Sequence, residues 1–565
     1  MTTSRHRLFL LLFSILTGCI TGFAQAPSDM YRNGMREIHG TARAQAMSNA
    51  VGALGADPTA VSINPAGIGL YRSNEFTLGF DFGNVKTSTN WQDKEGADMS
   101  KWVGNLDHLS IIFPIYNPQL VASNLRIVMG ASINSLYDYS RDYEMRTIEP
   151  NYGLTEYLAN RATRAYDTEQ RQLYDALSQT AFGAEFIELD HNEEGDGIYR
   201  PGTYVAVDPT KANDEKYKPD NIEYLYPNSS QLNVSEKGRR KIYDLTLGGS
   251  FADKLYFGAT LRTSSTAYSR FSMYHEDYSY SYKPTYDEAD QTYYAELGNG
   301  LTVEGATIGA SFGLMAAVGD FGRVGISYNT PQFGRYNETF YTTTAWYNNN
   351  RIVTDNSGKE RFEPLYKTET EDLTSSYNIM LSGDFTASAM VFLGGYGMVT
   401  YDFNWRNLGD ARFRGDDFSR TNKFIQEYYG SQMTHSVGIE LRPLDGLYLR
   451  GGYSYSDGGL KATGLRPSEG NKLEYSYIPS GTITDTAIKD SYQSISAGLG
   501  YRLFGRTTID LAYVRGKVRE RVYSMPYSEG LSRTDGSIMR PEVTPIGAAM
   551  STVTNRMVAS LTFRF

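Results

Sequence analysis

The sequence predicts an all-β protein: a 14-stranded antiparallel transmembrane β-barrel with an N-terminal plug inside its lumen and a helical extracellular insertion. Apolar and polar residues alternate in many segments, as from Leu255 to Leu261, which suits strands that lie between lipid and a polar lumen. Tyr (45 residues) and Gly (55 residues) are abundant, which fits many strands with aromatic girdles. Mean hydropathy is -0.44, and no run of about eighteen apolar residues follows the N-terminal segment, which argues against a bundle of membrane helices.

Fourteen strands are predicted, and a closed single-chain barrel needs an even number. Short and long connections alternate, so we place every short turn on the periplasmic side and every long loop outside. The short turns are predicted at Asn117-Pro118, Asp253, 320–322, Asp384, Asp445-Gly446 and Gly505-Arg506. The predicted strands span residues 75–91, 104–116, 124–145, 240–252, 254–272, 299–319, 322–345, 373–384, 386–407, 431–443, 446–457, 489–504, 506–525 and 552–565.

The composition argues against several classes of function. A net charge of -10 disfavours nucleic acid as a partner. The six histidines lie far apart in the sequence, and no Gly-x-Ser-x-Gly motif or phosphate-binding loop is present. We therefore expect no enzyme activity, no catalytic residue, no metal and no cofactor. His435 lies on the apolar face of its strand and is interpreted as a girdle residue.

Residues 1–26 have the pattern of a secretory signal peptide. Arg5 and Arg7 precede an apolar stretch from Leu8 to Leu16, and cleavage after Ala24 or Ala26 is expected. The residues up to Cys19 also fit a lipoprotein box, so lipidation of Cys19 is the open alternative.

The stretch from Gly40 to Tyr71 is rich in small residues and almost free of charge, unlike the rest of the chain. We expect a short helix over Ala42–Leu54, a break at Asp57-Pro58 and a fixed turn at Asn64-Pro65. Arg43 and Asp57 are interpreted as an ion pair within this segment rather than as an acid–base pair. Small side chains allow the backbone to pack closely, so the segment could fill a barrel lumen.

An ordered set of residues in this stretch carries a family resemblance. In chain order the residues are Gly40, Arg43, Ala46-Met47, Ala53-Leu54, Asp57 and Asn64-Pro65-Ala66-Gly67. The set resembles the N-terminal hatch of the FadL/TodX-type outer-membrane transporters of long-chain fatty acids and other hydrophobic compounds, with Ser48 where that family usually has Gly. The resemblance implies a hatch over residues 27–74 inside a fourteen-stranded barrel over 75–565.

The last strand ends on an aromatic residue. Its apolar positions include Phe563 and the terminal Phe565. This resembles the signal by which the barrel-assembly machinery recognises its substrates, and the alternative is a soluble β-protein that ends on a buried Phe. Together with the signal peptide, it favours the outer membrane of a Gram-negative bacterium, with outer-membrane lipid around a monomer.

Residues 146–239 form the longest insertion between predicted strands. Leu154–Ala162 and Thr168–Phe186 have helical periodicity, and the remainder is polar and acidic, so we expect an extracellular cap. Part of it imitates the first half of a calcium loop at Asp190, Asn192, Glu194 and Gly195. Position twelve is Pro201 where a Glu is needed, so a solvated acidic loop is favoured over a calcium site.

The function implied by the resemblance is passive uptake of a hydrophobic small molecule through an apolar-lined lumen, gated by the hatch. The resemblance also implies a wall opening at a kink in the third strand. That strand offers only Gly130, while Pro114 in the second strand lacks a ladder donor, so these two residues are the possible wall breaks.

Two alternatives stay open. The chain could be a FadL-like partner of a protein secretion system that uses the 146–239 insertion for docking. It could also be a haemin or ligand receptor, for which His191 and His275 on outer loops are the available axial ligands.

Overall fold

The computed structural model describes residues 25–37, 39–116, 124–167, 172–173, 175–191, 197–202, 204–206, 222–224, 226–280, 291–354, 360–467, 473–477, 483–503, 506–532, 538–540 and 542–565. The predicted signal peptide up to residue 24, with Cys19, lies outside the described residues. The predicted turn at Asn117-Pro118 and residues 192–195, which are most of the segment that imitates a calcium loop, also lie outside the described residues.

Fourteen barrel strands form one antiparallel sheet that closes on itself. They are β1 (Glu75–Trp91), β2 (Met99–Tyr116), β3 (Leu125–Asp138 and Arg141–Ile148), β4 (Ser229–Phe251), β5 (Leu255–Tyr280), β6 (Gln291–Val318), β7 (Gly322–Asn329 and Gln332–Thr354), β8 (Glu360–Glu369, Leu373–Leu381 and Asp384–Phe392), β9 (Gly397–Asn407), β10 (Ser431–Leu444), β11 (Leu447–Asp457), β12 (Thr486–Arg502), β13 (Thr507–Tyr523) and β14 (Ala548–Arg564). Closure is made where β1 pairs with β14, from Glu75 opposite Arg564 to Asn90 opposite Ala549. The predicted fold class and strand number are confirmed.

Helices are few and short. They are α1 (Pro27–Asn33), α2 (Ala42–Ala46), α3 (Pro58–Ile63), α4 (Leu154–Ala165), α5 (Ala176–Gly183) and α6 (Ser419–Tyr428), with 3-10 turns at Pro65–Leu70, Gly394–Tyr396, Leu408–Asp410, Asp416–Phe418 and Ala462–Gly464. Within the described part of the chain, no helix has the length and apolarity needed to cross a membrane.

The predicted turn at Asp384 is wrong. β8 continues through Asp384–Phe392, where it pairs with β7, and the chain reverses only at Gly394–Tyr396. Asp384 itself is buried in the lumen and forms an ion pair with Arg36. The strand is interrupted at Ser382-Gly383, which shifts the inward-facing positions by one residue. That shift imitates a turn in the sequence pattern.

The insertion is shorter than the predicted 146–239. β3 and β4 pair from Arg141 opposite Glu236 to Ile148 opposite Ser229, so both ends of the predicted span belong to the barrel wall. The first predicted helix is present as α4. The second begins later than expected, at Ala176, because Asp175 caps it by accepting a hydrogen bond from the Ser178 N–H.

The two faces of the wall differ in polarity. Outward-facing side chains are apolar and exposed, whereas inward-facing ones are mostly Ser, Thr, Asn and charged residues that are buried. On β10, for example, Val437 and Ile439 point outward and Ser436 and Glu440 point inward. An apolar outer surface on a closed barrel is what a lipid bilayer requires, so the chain is an outer-membrane β-barrel.

Candidate functional site in the lumen

Side-chain caps shape the hatch. Asp57 starts α3 by accepting hydrogen bonds from the Thr59 and Ala60 N–H groups at 2.9 and 3.4 Å. Asn64 caps the next 3-10 turn by accepting from the Ala66 N–H at 3.1 Å, and its amide donates to the Gly52 carbonyl at 3.0 Å. Asp57-Pro58 is therefore a helix start and not only a break.

The predicted helix over Ala42–Leu54 is mostly wrong, because α2 ends at Ala46. Ser48 and Asn49 have φ of 47° and 54°, a left-handed backbone that no helix continues through. Ser48 is the residue that departs from the family pattern, and glycine adopts this conformation with less strain.

The hatch lies inside the lumen and contacts strands all around the wall. The Ala42 N–H donates to Ser560 on β14 at 3.0 Å, and the Gly52 N–H donates to Asp402 on β9 at 2.8 Å. Arg262 on β5 donates to the Ser62 carbonyl at 2.6 Å. These contacts span the cross-section of the barrel.

The expected ion pair between Arg43 and Asp57 is absent. The Arg43 guanidinium instead donates two hydrogen bonds, of 2.9 and 3.0 Å, to Glu440 on β10. Glu440 also accepts from Arg450 at 2.6 Å, and Arg450 reaches Asp510 at 2.6 Å. Asp57 is occupied by its helix cap and by the Thr41 hydroxyl, so Arg43 anchors the hatch to the wall.

The Asn64-Pro65 turn packs against inward-facing glycines on β4 to β7. A Cβ atom would lie 2.2 Å from the Pro65 carbonyl oxygen at Gly258 and 2.1 Å from the Asn64 Oδ1 at Gly313. Gly248 is the partner of Gly258 in the sheet, and Gly258 is the partner of Gly313, so the glycines form a continuous row. Backbone of the hatch therefore lies directly on backbone of the wall.

A second glycine row lies on the other side of the lumen, on β10 to β12. Here Gly438, Gly452 and Gly498 face Ala46 and Met47, and a Cβ at Gly452 would lie 2.3 Å from the Met47 carbonyl carbon. Sequence reasoning missed both rows. Their signal is glycine on the polar face of a strand, at Gly248, Gly258, Gly438 and Gly498.

Charged groups are buried beside the hatch at His39. The His39 Nδ1 is 2.8 Å from the Asp107 Oδ1, and the Gln45 amide donates to Asp107 at 2.7 Å. The ligand atoms of His39, Asp81 and Asp107 lie within 4.8 Å of one another, as a metal site would need. The Arg556 guanidinium is 2.8 Å from His39 and 3.8 Å from Asp81, so it already supplies a cation there.

A cavity of about 230 Å³ lies in the lumen between residues of the hatch and inward-facing side chains of the wall. Its lining includes the charged side chains of Arg36, Arg262, Asp384, Asp402, Arg406 and Lys489. Apolar side chains such as Ile63, Ile242 and Val518 also line it, so the expectation of an apolar-lined lumen stays a prediction.

The possible wall breaks lie in paired strands. Pro114 stands next to a one-residue shift in the pairing of β2 with β3, and Gly130 is paired on both sides, with Ile112 and Thr246. Larger interruptions of the strands occur between Asp138 and Arg141, and where Thr330-Pro331 of β7 faces Ser382-Gly383 of β8. The assignment of Pro114 and Gly130 to an opening stays a prediction.

The cap is bound to several parts of the outer rim. Glu276 on β5 accepts a hydrogen bond of 2.9 Å from the Leu154 N–H at the start of α4, and the Thr344 hydroxyl on β7 donates to the Thr180 carbonyl at 2.9 Å. The Arg164 guanidinium donates a hydrogen bond of 2.6 Å to the hydroxyl of Ser528, which follows β13 in the chain. Burial raises the pKa of Glu156 in α4 to about 8.

The aromatic C-terminus lies at the periplasmic rim. Phe563 and Phe565 are 39% and 57% exposed on the barrel exterior, and the Phe565 N–H donates to the Asn74 carbonyl at 3.1 Å. Both rings are accessible, and their assignment as an insertion signal stays a prediction.

No model of a known protein family matches the sequence, and no curated protein matches it. Solved structures do. A FadL homologue of Pseudomonas aeruginosa is 11% identical, with 94% of this chain and 100% of that chain covered and a TM-score of 0.46. The toluene transporter TodX of Pseudomonas putida is 14% identical over 94% and 99%, with a TM-score of 0.44. The toluene transporter TbuX of Ralstonia pickettii is 13% identical over 93% and 98%, with a TM-score of 0.41.

This chain resembles FadL/TodX-type barrels.

Proposed function

We propose that this chain carries hydrophobic compounds, such as long-chain fatty acids, passively across the outer membrane, and that the hatch over residues 27–74 gates the passage. The observation that carries the proposal is the hatch docked across the lumen, joined to the wall by Arg43–Glu440 and seated on two glycine rows. A plug of this kind prevents free diffusion of small solutes.

In this proposal the ligand moves down its own concentration gradient. The ligand enters at the outer mouth beside the cap, reaches the lumen cavity between the hatch and the wall, and leaves when the hatch shifts or the wall opens. Pro114 and Gly130 are the candidate positions for a wall opening. Binding and release alone drive the process, so no cofactor is required.

Uptake of radiolabelled oleate by cells that lack the protein tests the transport activity. We expect uptake to fall in these cells and to recover when the intact chain is supplied. Normal oleate uptake by cells that lack the protein would refute the proposed transport.

Deletion of residues 40–67 tests the gate. We expect liposomes that contain the shortened chain to swell faster in small sugars than liposomes with the intact chain, because the plug is removed while the wall stays closed. An unchanged swelling rate, with the barrel shown to be folded by its heat-dependent migration in gels, would refute gating.

The second candidate is a partner of protein secretion, favoured by the size of the cap and its contacts around the outer rim. Loss of secreted proteins with normal oleate uptake would support it. A haemin receptor is less well supported, because His275 lies within β5 and not on a loop, and its Nε2 is 3.0 Å from the Asp277 carboxylate.

A further inference from the structure

A basic surface lies on the exterior of the barrel, on the extracellular half of β13. Outward-facing side chains alternate with buried ones along this strand, and from Ile509 to Tyr513 the outward-facing ones are apolar or aromatic. The next three outward positions carry Arg515, Lys517 and Arg519, which we call the basic ladder. The outer face of this strand therefore changes from apolar to cationic within two residues.

The basic ladder begins where the apolar band of the wall ends. Arg515 is paired in the sheet with Asn555 on β14, and Asn555 is paired with Asn84 on β1. On these two strands the next outward side chains toward the periplasm are Met557 and Phe82, which are 57% and 58% exposed. A polar row across three strands thus follows directly on the apolar outer face. We therefore place the basic ladder at the level of the lipid head groups of the outer leaflet.

The basic ladder has no acidic partner in the part of the chain that the structure describes. No carboxylate oxygen, including those of Asp490 on the neighbouring β12, lies within 4.0 Å of its charged nitrogens. Arg515 donates to the neutral side chain of Asn555 at 3.3 Å. The next basic residue on the strand, Arg521, differs, because the Glu474 carboxylate lies 3.4 Å from it. Three positive charges therefore face outward along one strand without compensation by described residues.

Neutral polar side chains lie beside the basic ladder on both neighbouring strands. They are the outward-facing Gln493 and Ser491 on β12 and Ser551 on β14, which are paired in the sheet with residues of the ladder. Amide and hydroxyl groups form hydrogen bonds with sugar hydroxyls, whereas Arg and Lys bind phosphate. The surface thus offers partners for a sugar and for a phosphate side by side.

We propose that the basic ladder binds the phosphate groups of a phosphorylated glycolipid in the outer leaflet of the membrane. Cations of like sign at a lipid boundary repel one another, and anionic head groups relieve that repulsion. The neutral polar side chains beside the cations favour a glycolipid over a phospholipid as the occupant. Because this surface lies outside the lumen, the inference goes beyond the proposed uptake and does not rest on it.

Native mass spectrometry of the purified full chain in a non-ionic detergent tests this surface. The probes are diphosphoryl lipid A, the same lipid without its phosphates, and cardiolipin, a lipid with phosphates but no sugar. We expect the intact chain to retain diphosphoryl lipid A about tenfold more than the phosphate-free lipid, because each basic side chain adds to the attraction of an anionic lipid. Cardiolipin should be retained less than diphosphoryl lipid A.

The combined variant Arg515→Gln, Lys517→Gln and Arg519→Gln should lose most of the preference for the phosphorylated lipid. It should still fold, because all three side chains point away from the barrel interior, and heat-dependent migration in gels checks this. The variant Arg515→Lys with Arg519→Lys conserves the charge and should keep the preference.

The matched control removes three charges from the exposed periplasmic rim, with Lys254→Gln, Arg502→Gln and Arg506→Gln, and should also keep the preference. Unchanged retention of diphosphoryl lipid A by the combined variant, or an equal loss in the control, would overturn the proposal. Equal retention of cardiolipin and diphosphoryl lipid A by the intact chain would refute a glycolipid as the occupant, since charge alone would then explain the binding.

Discussion

Glycines of the wall determine how closely the hatch can approach it. At Gly258, Gly313 and Gly452 the space that a Cβ would occupy is filled by atoms of Asn64, Pro65 or Met47. The polar face of a strand elsewhere carries side chains that would keep the hatch away. The matching surfaces are therefore distributed between the N-terminal segment and the strands.

Gly258→Ala should unseat the hatch. The new Cβ would lie 2.2 Å from the Pro65 carbonyl oxygen, and both atoms are held by backbone, so one of the two surfaces must move. We expect faster swelling of liposomes in small sugars and easier proteolysis within residues 40–71. Gly395→Ala, where no atom lies within 4 Å, is the control and should change neither. A tight hatch in Gly258→Ala would contradict this account.

The residues of the hatch could be predicted from the sequence, but their partners could not. Asp57 and Asn64 accept hydrogen bonds from backbone N–H groups two or three residues away, and such caps can be predicted from the neighbouring sequence. Arg43 binds Glu440, 397 positions away. The residues near Arg43 in the sequence do not indicate whether it pairs with Asp57 or with Glu440, because the geometry of the closed barrel determines which carboxylate lies within reach.

At the scale of elements, alternation identified the barrel strands because one face of each meets lipid. It failed at β8, where the interruption at Ser382-Gly383 shifts the alternation by one residue. The sequence pattern therefore suggested a turn at Asp384. The ends of the insertion were also misplaced. In the paired segments Arg141–Ile148 of β3 and Ser229–Glu236 of β4, most outward-facing side chains are polar, so the alternation of apolar and polar residues fades.

The docking of α4 should weaken as pH rises. The folded pKa of Glu156 is about 8, raised by burial above its ordinary value of 4.5. A raised folded pKa means that the contribution of this group to docking is complete below pH 4.5, declines above it, and is lost as pH passes about 8. Hydrogen exchange of residues 154–165, corrected for intrinsic rates, should therefore be faster at about pH 9 than at about pH 6.

Glu156→Gln should make this protection less dependent on pH over the same range, because the amide keeps the shape of the neutral acid. Glu276, which accepts the Leu154 N–H and whose pKa is raised by burial to about 7, still titrates there. Glu149→Gln, at an exposed position just before the cap, serves as the control and should behave as the intact chain does. Equal protection of α4 at both pH values in the intact chain would show that Glu156 does not control docking.

At the scale of the whole molecule, the wall separates two solvents. Its outer face is apolar, and its inner face is mostly polar where ion pairs and hydrogen bonds join it to the hatch. Apolar packing also stabilises the interior, as in the buried cluster that includes Leu301, Val303 and Phe340. The alternation of apolar and polar residues in the sequence correctly predicts that the two faces of the wall differ in polarity.

The C-terminus should matter for assembly more than for stability. Phe565 is 57% exposed at the periplasmic rim, so its ring contributes little buried area to the folded barrel. We expect Phe565→Ser to lower the amount of folded protein in the outer membrane several-fold while the refolded, purified chain unfolds at an unchanged temperature. Phe321→Ser, at another rim aromatic that is 61% exposed, should affect neither quantity. Equal loss in both variants would attribute the effect to rim aromatics in general rather than to a terminal signal.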